Sequence, residues 1–472
     1  MPEKRTRPYQ VIWLWLFMAW AMCYIDRSLT GPVITWMIQN QAGFMADAPM
    51  QHALGGVIGS MFFAGYMLTQ FPSGYFGDRY GHRTMVVLST AWAGVATFAS
   101  GFARSLTSFV SLRVITGLGE GAYYSNDRAI VDEVTPPERK GLAMGVVFVG
   151  LAVGLTTATV VTPYLMDWAS GMWGKETAWT VPFLLFAPIT LLVSFGLSRA
   201  LTPRAHGEGR PVKALVSLLM VSVPMLLAIM AVFMLTLMLG LSSVLQALAI
   251  IVLAFALVAV IYRRLGRTSA AVLRDRDLLI MYISSVPILY TLWFFGFWAL
   301  MVVSESAQLG LEGAAVYAGL FGVASAVGFP LGGWLCDRGR NSGRVRKMIY
   351  VALCGSVAVA VFLLAWGISK EPLNVLFLAV ILFIIGVLFS AMQTVHMTLT
   401  SDLAPKAMMG QAFGMWNLVA EIGAILSPVV SGTLRDLTGD WTLATVVTGG
   451  LLVISAVLVV FVREKNKAHN TG

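Results

Sequence analysis

The feature that most constrains this chain is the recurrence of apolar runs about 20 residues long, the length an α-helix needs to cross roughly 30 Å of hydrocarbon. A bilayer core offers no water to backbone polar groups, so each run must pair its own N–H and C=O groups and form a helix. The runs begin near Val11, Leu54, Thr84, Ser105, Leu142, Trp179, Leu215, Val244, Leu278, Ala314, Met348, Val375, Gln411 and Leu443, which predicts fourteen spans. With 58% hydrophobic and only 12% charged residues, a soluble domain of 472 residues is excluded.

The basic residues divide by side, and so test that count. Lys4, Arg5 and Arg7; Arg79 and Arg83; Arg139 and Lys140; Arg199, Arg204, Arg210 and Lys213; Arg263, Arg264, Arg267, Arg274 and Arg276; Arg338, Arg340, Arg344, Arg346 and Lys347; Lys406; and Arg463, Lys465 and Lys467 all fall on one side. The opposite loops carry only Arg104, Lys175, Lys370 and Arg435. By the positive-inside rule both termini are cytoplasmic in a multi-pass protein of the cell membrane. The net charge of +9 belongs to these loops and is no sign of nucleic-acid binding. The basic segment Met1 to Arg7 precedes an apolar run longer than a signal-peptide core, so this run is expected to remain as the first helix.

An ionisable residue inside a run costs about 2.5 to 3.5 kcal/mol to insert; two pairs stand out, while Glu421 in a later run reads as a lone carboxylate bonded across helices. Asp26 and Arg27 are in the first run; Arg113 and Glu120 are in the fourth, seven residues apart on one helical face with Gly117 between them. The plain reading is that Arg113 and Glu120 merely neutralise each other or a neighbouring helix. The functional reading is a coupling site, because burial disfavours an ionised carboxylate while an adjacent cation favours it, and a change in packing tips that balance. Asp26 and Arg27, adjacent on one helix, point about 100° apart and are expected to face different partners. Tyr124 extends the Arg113 and Glu120 face by a further turn. Gln393 and Asn417 are polar groups in later spans, open to substrate contact or to bonding between helices. His396, towards the cytoplasmic end of its span, reads as solvated, and Tyr290, Trp293 and Trp298 read as packing or as a cavity wall.

A long-period repeat organises the whole. Gly117, Glu133, Pro136, Gly141, Gly145, Gly154 and Asp167 recur 269 residues later as Gly386, Asp402, Pro405, Gly410, Gly414, Gly423 and Asp436. Gly74-Tyr-Phe-Gly-Asp78-Arg79 is echoed by Gly333-Trp-Leu-Cys-Asp337-Arg338 at an offset of 259. Parallel repeats of this kind describe two pseudo-symmetric halves. The expected fold is an all-α polytopic membrane protein with two six-helix bundles, residues 1–200 and 278–472. Between them lies a linker, 201–277, with two extra transmembrane helices as an inserted central hairpin.

The stretch Gly74-Tyr-Phe-Gly-Asp-Arg-Tyr-Gly-His-Arg83 resembles the loop signature of the major facilitator superfamily. Cys23-Tyr-Ile-Asp-Arg27, Leu112-Arg-Val-Ile-Thr-Gly followed by Glu120, Asn126-Asp-Arg128, Met415-Trp-Asn417 and Ser427-Pro428 resemble its anion:cation symporter family, which moves sugar acids and other organic anions. That resemblance implies an alternating-access, proton-coupled symporter of an organic anion, with Asp26 and Glu120 as proton carriers. Arg27 then links them to the substrate, with Arg113, Tyr66, Tyr124, Gln393 and Asn417 as further substrate contacts. Gly119-Glu120-Gly-Ala-Tyr123 is also similar to a motif of the spinster-like lysolipid exporters, the alternative reading. Two departures bear on substrate. Leu151 stands where sugar-acid carriers often have glutamine, which favours a less hydroxylated anion, and the first helix of the second half lacks an arginine found in vesicular members.

The pairs Asp78-Arg79 and Asp337-Arg338 lie at cytoplasmic helix ends and read as topology signals or as a gate. In the gate, Asp78 faces a helix N-terminus and pairs with an arginine such as Arg128, while Asp127 meets Arg79 or Arg83. Cys23, Cys336 and Cys354 have no metal-ligand spacing, and no nucleophile-base set or phosphate-cradling loop is present. The expectation is therefore no enzyme, metal or cofactor, with protons as the coupling ion and a small organic anion and the bilayer as partners of a monomer.

Overall fold

The computed structural model describes residues 9–136, 139–201, 210–265, 274–338, 343–370, 372–405 and 408–463. Lys4, Arg5, Arg7, Arg204, Arg267, Arg340, Lys406, Lys465 and Lys467 of the basic clusters lie outside the described residues. Regular structure among the described residues is helical throughout. The chain divides into two compact units, Met1–Ile261 and Tyr262–Gly472.

The first unit holds α1 (Tyr9–Asn40), α2 (Gln51–Tyr80), α3 (His82–Ser100), α4 (Leu106–Glu120), α5 (Tyr124–Val134), α6 (Lys140–Trp173), the short α7 (Lys175–Ala178), α8 (Val181–Ala200) and α9 (Pro211–Met238). Helix α10 (Ser243–Leu265) carries the chain across the boundary. The second unit holds α11 (Arg276–Ser306), α12 (Leu311–Ala318), α13 (Leu320–Arg338), α14 (Gly343–Ile368), α15 (Val375–Leu403), α16 (Met409–Thr438) and α17 (Thr442–Val460).

Among the described residues ten helices are long and apolar enough to cross a membrane. α1, α3 and α4 are not in that set. α1 carries Asp26, Arg27 and four tryptophans of low hydropathy, and α4 is only 15 residues long. Local chemistry sets several ends. Ser105 and Ser108 form a capping box at the start of α4, and Asp275 and Asn374 cap α11 and α15 by accepting backbone N–H groups. Gly81, at a φ of 93°, breaks α2 from α3 where a side chain would be strained.

Glycine seams hold each unit together, and the sequence repeat recurs in them. Gly117 of α4 lies so close to α2 that an added Cβ would sit 2.0 Å from the Phe62 carbonyl oxygen; at the repeat position, Gly386 of α15 would meet the Phe321 carbonyl of α13 at 2.6 Å. Gly154 of α6 packs on α1 at the Ala21 carbonyl, 2.4 Å from such a Cβ, and Gly423 of α16 packs on α11 at the Val286 carbonyl, 2.1 Å away. Small residues that let backbones touch are the usual device for helix association in lipid.

Helix α9 docks on the first unit. Ala214 and Leu218 pack with Tyr80, Met85 and Ala122, and the Tyr80 hydroxyl lies 2.8 Å from Ser217 Oγ. Its other faces expose large apolar side chains such as Met220 and Leu227, as lipid contact requires.

Gly117→Ala is expected to lower the melting temperature of the detergent-solubilised protein by several degrees, since overpacking costs about 1–3 kcal/mol. Gly145→Ala, where a Cβ meets nothing within 4 Å, is the control and should leave the melting temperature unchanged or slightly raised.

Candidate functional site

Asp26, Arg27, Arg113 and Glu120 meet in the first unit, paired crosswise between helices. Arg27 of α1 donates from Nη2 and Nε to Glu120 Oε2 of α4 at 2.9 and 3.2 Å. Arg113 of α4 donates from Nη1 to Asp26 Oδ1 at 3.4 Å and from Nη2 to Ser100 Oγ of α3 at 2.6 Å. All four are buried, with Arg113 and Glu120 at 0% exposure. Arg113 and Glu120 share a face, as the spacing predicts, yet each is neutralised by α1 rather than by the other.

The geometry follows from the backbone. Asp26 and Arg27, adjacent on α1, aim at different levels of α4, which sit almost two turns apart. The α2–α4 seam at Gly65, Gly117 and Gly121 brings Tyr66 alongside Glu120, because a Cβ on Gly121 would overlap the Tyr66 carbonyl oxygen at 2.3 Å. The Arg27 guanidinium therefore lies 4.4 Å from the Tyr24 ring centroid and 4.6 Å from that of Tyr66, with Phe62 at 5.9 Å. Cation–π contact on this scale holds the fork in one plane. Arg113 has its own aromatic wall, Phe183 at 5.0 Å and Phe109 at 5.6 Å.

Each carboxylate keeps one oxygen out of these pairs. Asp26 Oδ2 and Glu120 Oε1 are buried and accept no hydrogen bond, and the two carboxyl groups lie within hydrogen-bonding reach of each other. Two carboxylates in contact repel when both are ionised, and a single proton between them converts repulsion into a hydrogen bond. With both carboxylates ionised the quartet is neutral, and the first proton taken up leaves it one unit positive.

The remaining predicted residues separate into groups. Tyr124 is separated from the Arg113 and Glu120 face by a turn at Gly121–Tyr123, where Gly121 packs closely on α2, and it opens the next helix, α5. There Tyr124 lies 5.9 Å from Trp20 and near Arg128. Asp127 is buried and accepts from the Trp20 indole N–H and from Arg128, so it meets neither Arg79 nor Arg83. Arg83 donates to the Ser198 carbonyl at 2.6 Å, while Asp78, largely exposed, sits 3.5 Å from His82 and is not paired with Arg128. These pairings correct the expected ones: side chains at the α2–α3 turn reach their own unit's nearest groups first. Arg79 lies over the Tyr80 ring.

In the second unit Gln393 and Asn417 are buried on α15 and α16. Asp337 and Arg338 are exposed at the end of α13, with Arg338 stacked on Trp334 at 3.7 Å. His396 is fully buried rather than solvated. Trp416 donates to its Nδ1 at 3.0 Å, which leaves Nε2 to donate to Ser284 Oγ at 2.8 Å, a satisfied neutral imidazole. Trp298 and Tyr290 are bonded to the Pro428 carbonyl and to Ser431.

Sequence reasoning missed Tyr24, Ser100 and Trp20. Trp20, Tyr24 and Arg27 fall at i, i+4 and i+7 on one helical face, a signal that was present. Nothing in the sequence marks Ser100.

Removing one partner of a buried pair costs about 3–5 kcal/mol, whereas removing both costs less. Arg113→Gln is accordingly expected to destabilise strongly, and Asp26→Asn combined with it should recover much of the loss; unfolding of the three variants, compared as a double-mutant cycle, reads the coupling.

Comparison with known proteins fits this architecture. The sequence matches the Major Facilitator Superfamily over residues 16–345 and again over 294–472. It is 24% identical to the D-galactonate transporter of Escherichia coli, over 89% of this chain and 88% of the relative. It is 26% identical to a probable sulfoacetate transporter of Cupriavidus necator, over 98% and 95% of the two chains. It is also 26% identical to the 4-hydroxybenzoate transporter of Pseudomonas aeruginosa, over 96% and 91%. Among solved structures, a bacterial homologue of the human lysosomal transporter Spinster, inward-facing and occupied, superposes with a TM-score of 0.70 at 14% identity, over 98% and 97% of the chains. The chain belongs to the major facilitator superfamily: it is a multi-pass membrane transporter and not an enzyme.

Proposed function

We propose that the protein is a proton-coupled symporter of an organic anion, most readily a carboxylate, with Asp26 and Glu120 as the proton-binding groups and Arg27 as the anion-binding group. The observation that carries this reading is the neutral quartet, in which each carboxylate keeps a buried oxygen that accepts no hydrogen bond. A proton bound there leaves a net positive charge in an apolar surrounding, and a monovalent anion cancels it. Proton and anion affinities are then linked, each raising the other by the same factor. Arg27 is suited to the anion because its planar fork is already oriented by Tyr24 and Tyr66 and binds a carboxylate bidentately once Glu120 is protonated and releases it.

The relatives support an organic anion without naming one. They carry a sugar acid, a sulfonated acid and an aromatic acid, and the aromatic surround of Arg27, together with Leu151 buried on α6, favours the less hydroxylated end of that range. The likeness to a Spinster homologue is one of fold and is shared by proton symporters at similar scores. The same reading includes the fourteen-span arrangement with an inserted central pair, cytoplasmic termini, a monomer, and a cytoplasmic gate built on Asp78, Arg79, Arg83, Asp337 and Arg338.

The test is uptake into proteoliposomes of labelled galactonate, sulfoacetate and 4-hydroxybenzoate under an inward proton gradient. Gradient-stimulated accumulation of one of them is expected; gradient-insensitive movement of lysolipid between leaflets with no acid uptake would support the exporter instead.

Two variants sharpen it. Glu120→Gln and Asp26→Asn, which mimic the protonated groups, should abolish accumulation while sparing exchange of internal for external anion. Arg27→Lys should weaken anion binding at least tenfold although the charge is kept, because an ammonium is a point charge and cannot form the fork. Wild-type affinity in Arg27→Lys would remove Arg27 from the site.

A further inference from the structure

A second arginine cluster lies in the first unit, on α5, the helix that follows α4, and is not used by the quartet. Asp127 of α5 is fully buried, accepts from the Trp20 indole N–H, and holds Arg128 side-on through Nε and Nη2 at 3.3 and 3.0 Å. One face of the Arg128 guanidinium lies 4.4 Å from the Phe148 ring centroid and it is 5.3 Å from that of Trp20. Its end-on edge meets a poor partner, Met144 Sδ at 3.1 Å from Nη1. A thioether is a weak acceptor on a flexible side chain, so this edge offers two parallel N–H donors that an oxyanion satisfies far better. Whereas the quartet is sealed, Tyr124, Arg128, Met144 and Phe148 are each partly exposed, with 17% of the Arg128 side chain open.

We propose that Arg128, oriented by Asp127 and Trp20 and walled by Tyr124, Phe148 and a displaceable Met144, is a second and weaker binding site for the carboxylate of the transported anion. The inference rests on the anion-transport reading and adds a station to it. Its weakness follows from charge: Asp127 and Arg128 cancel, so the site gains only hydrogen bonds and ring contact and needs no proton. The first site gains a full charge on protonation. The Trp20 ring borders both arginines, 6.0 Å from Arg27 and 5.3 Å from Arg128, so an anion displaced when the quartet loses its proton finds the second site across a single indole.

The test is to grow crystals of the full chain with 4-bromobenzoate and locate bromine by anomalous scattering at pH 5.5 and pH 8. Two bromine positions are expected, one beside Arg27 that fades at the higher pH and one beside Arg128 that does not. Arg128→Gln, or Asp127→Asn with Arg128→Gln should the single variant fail to fold, is expected to lose the second position and keep the first. Bromine beside Arg27 alone, or bromine that persists beside residue 128 in the variant, overturns this inference and leaves the transport reading intact. Bromine beside Arg128 alone supports it while removing Arg27 as the primary site; bromine at neither overturns both.

Discussion

The structure of the first unit depends on the crossed pairing of Asp26 and Arg27 with Arg113 and Glu120. Four ionisable groups in apolar surroundings are tolerable only if each charge is cancelled nearby, and single removal leaves an uncompensated buried charge. Crossing fixes the register of α1 against α4, since Asp26 must reach Arg113 while the next residue reaches Glu120, two turns further along. The glycine seams serve that register: Gly117 and Gly121 bring α4 onto α2, and Gly150 and Gly154 bring α6 onto α1, each at backbone contact. The pairing is also poised. Two guanidiniums and two carboxylates are balanced without a proton, and two carboxylate oxygens stand ready to share one.

The two units repeat the packing but not the chemistry. Gly386 and Gly423 reproduce the seams of Gly117 and Gly154, while in the second unit His396 bonds to both Ser284 and Trp416, Tyr350 bonds to Ser455, and Glu421 is a buried carboxylate on α16. That unit's ion pairs, Arg346 with Asp402 and Arg435 with Glu305, are at helix ends and partly exposed. Among the described residues, the ion pairs with both side chains almost fully buried are Arg27 with Glu120 and Arg113 with Asp26, both in the first unit.

How much of this was legible in the sequence depends on the range of the interaction involved. Helical class, the glycine repeat and the four costly charges were legible because each is a local or periodic property. The crossed partners were not, because Arg27 and Glu120 are 93 residues apart and Ser100 is an ordinary serine by every local measure. The interruption at Gly121–Tyr123 was missed because apolar periodicity continues through it, whereas the backbone there carries three glycines in five residues, Gly117 and Gly121 pressed against α2 and Gly119 against Trp92 of α3. His396 looked solvated from its place near a span end; its burial comes from Trp416 and Tyr350, which only tertiary structure brings to it. Hydropathy alone also underrates α1, whose tryptophans and tyrosines fill the aromatic surround of the site.

The central claim is that one buried quartet binds a proton and an anion together. The most direct measurement is the number of protons taken up when the purified protein binds the carboxylate it transports, read calorimetrically in buffers of different ionisation enthalpy near neutral pH. Net uptake approaching one proton per monovalent anion, lost in Glu120→Gln, is the predicted result. Anion binding with no proton uptake, equal in wild type and variant, would contradict the account.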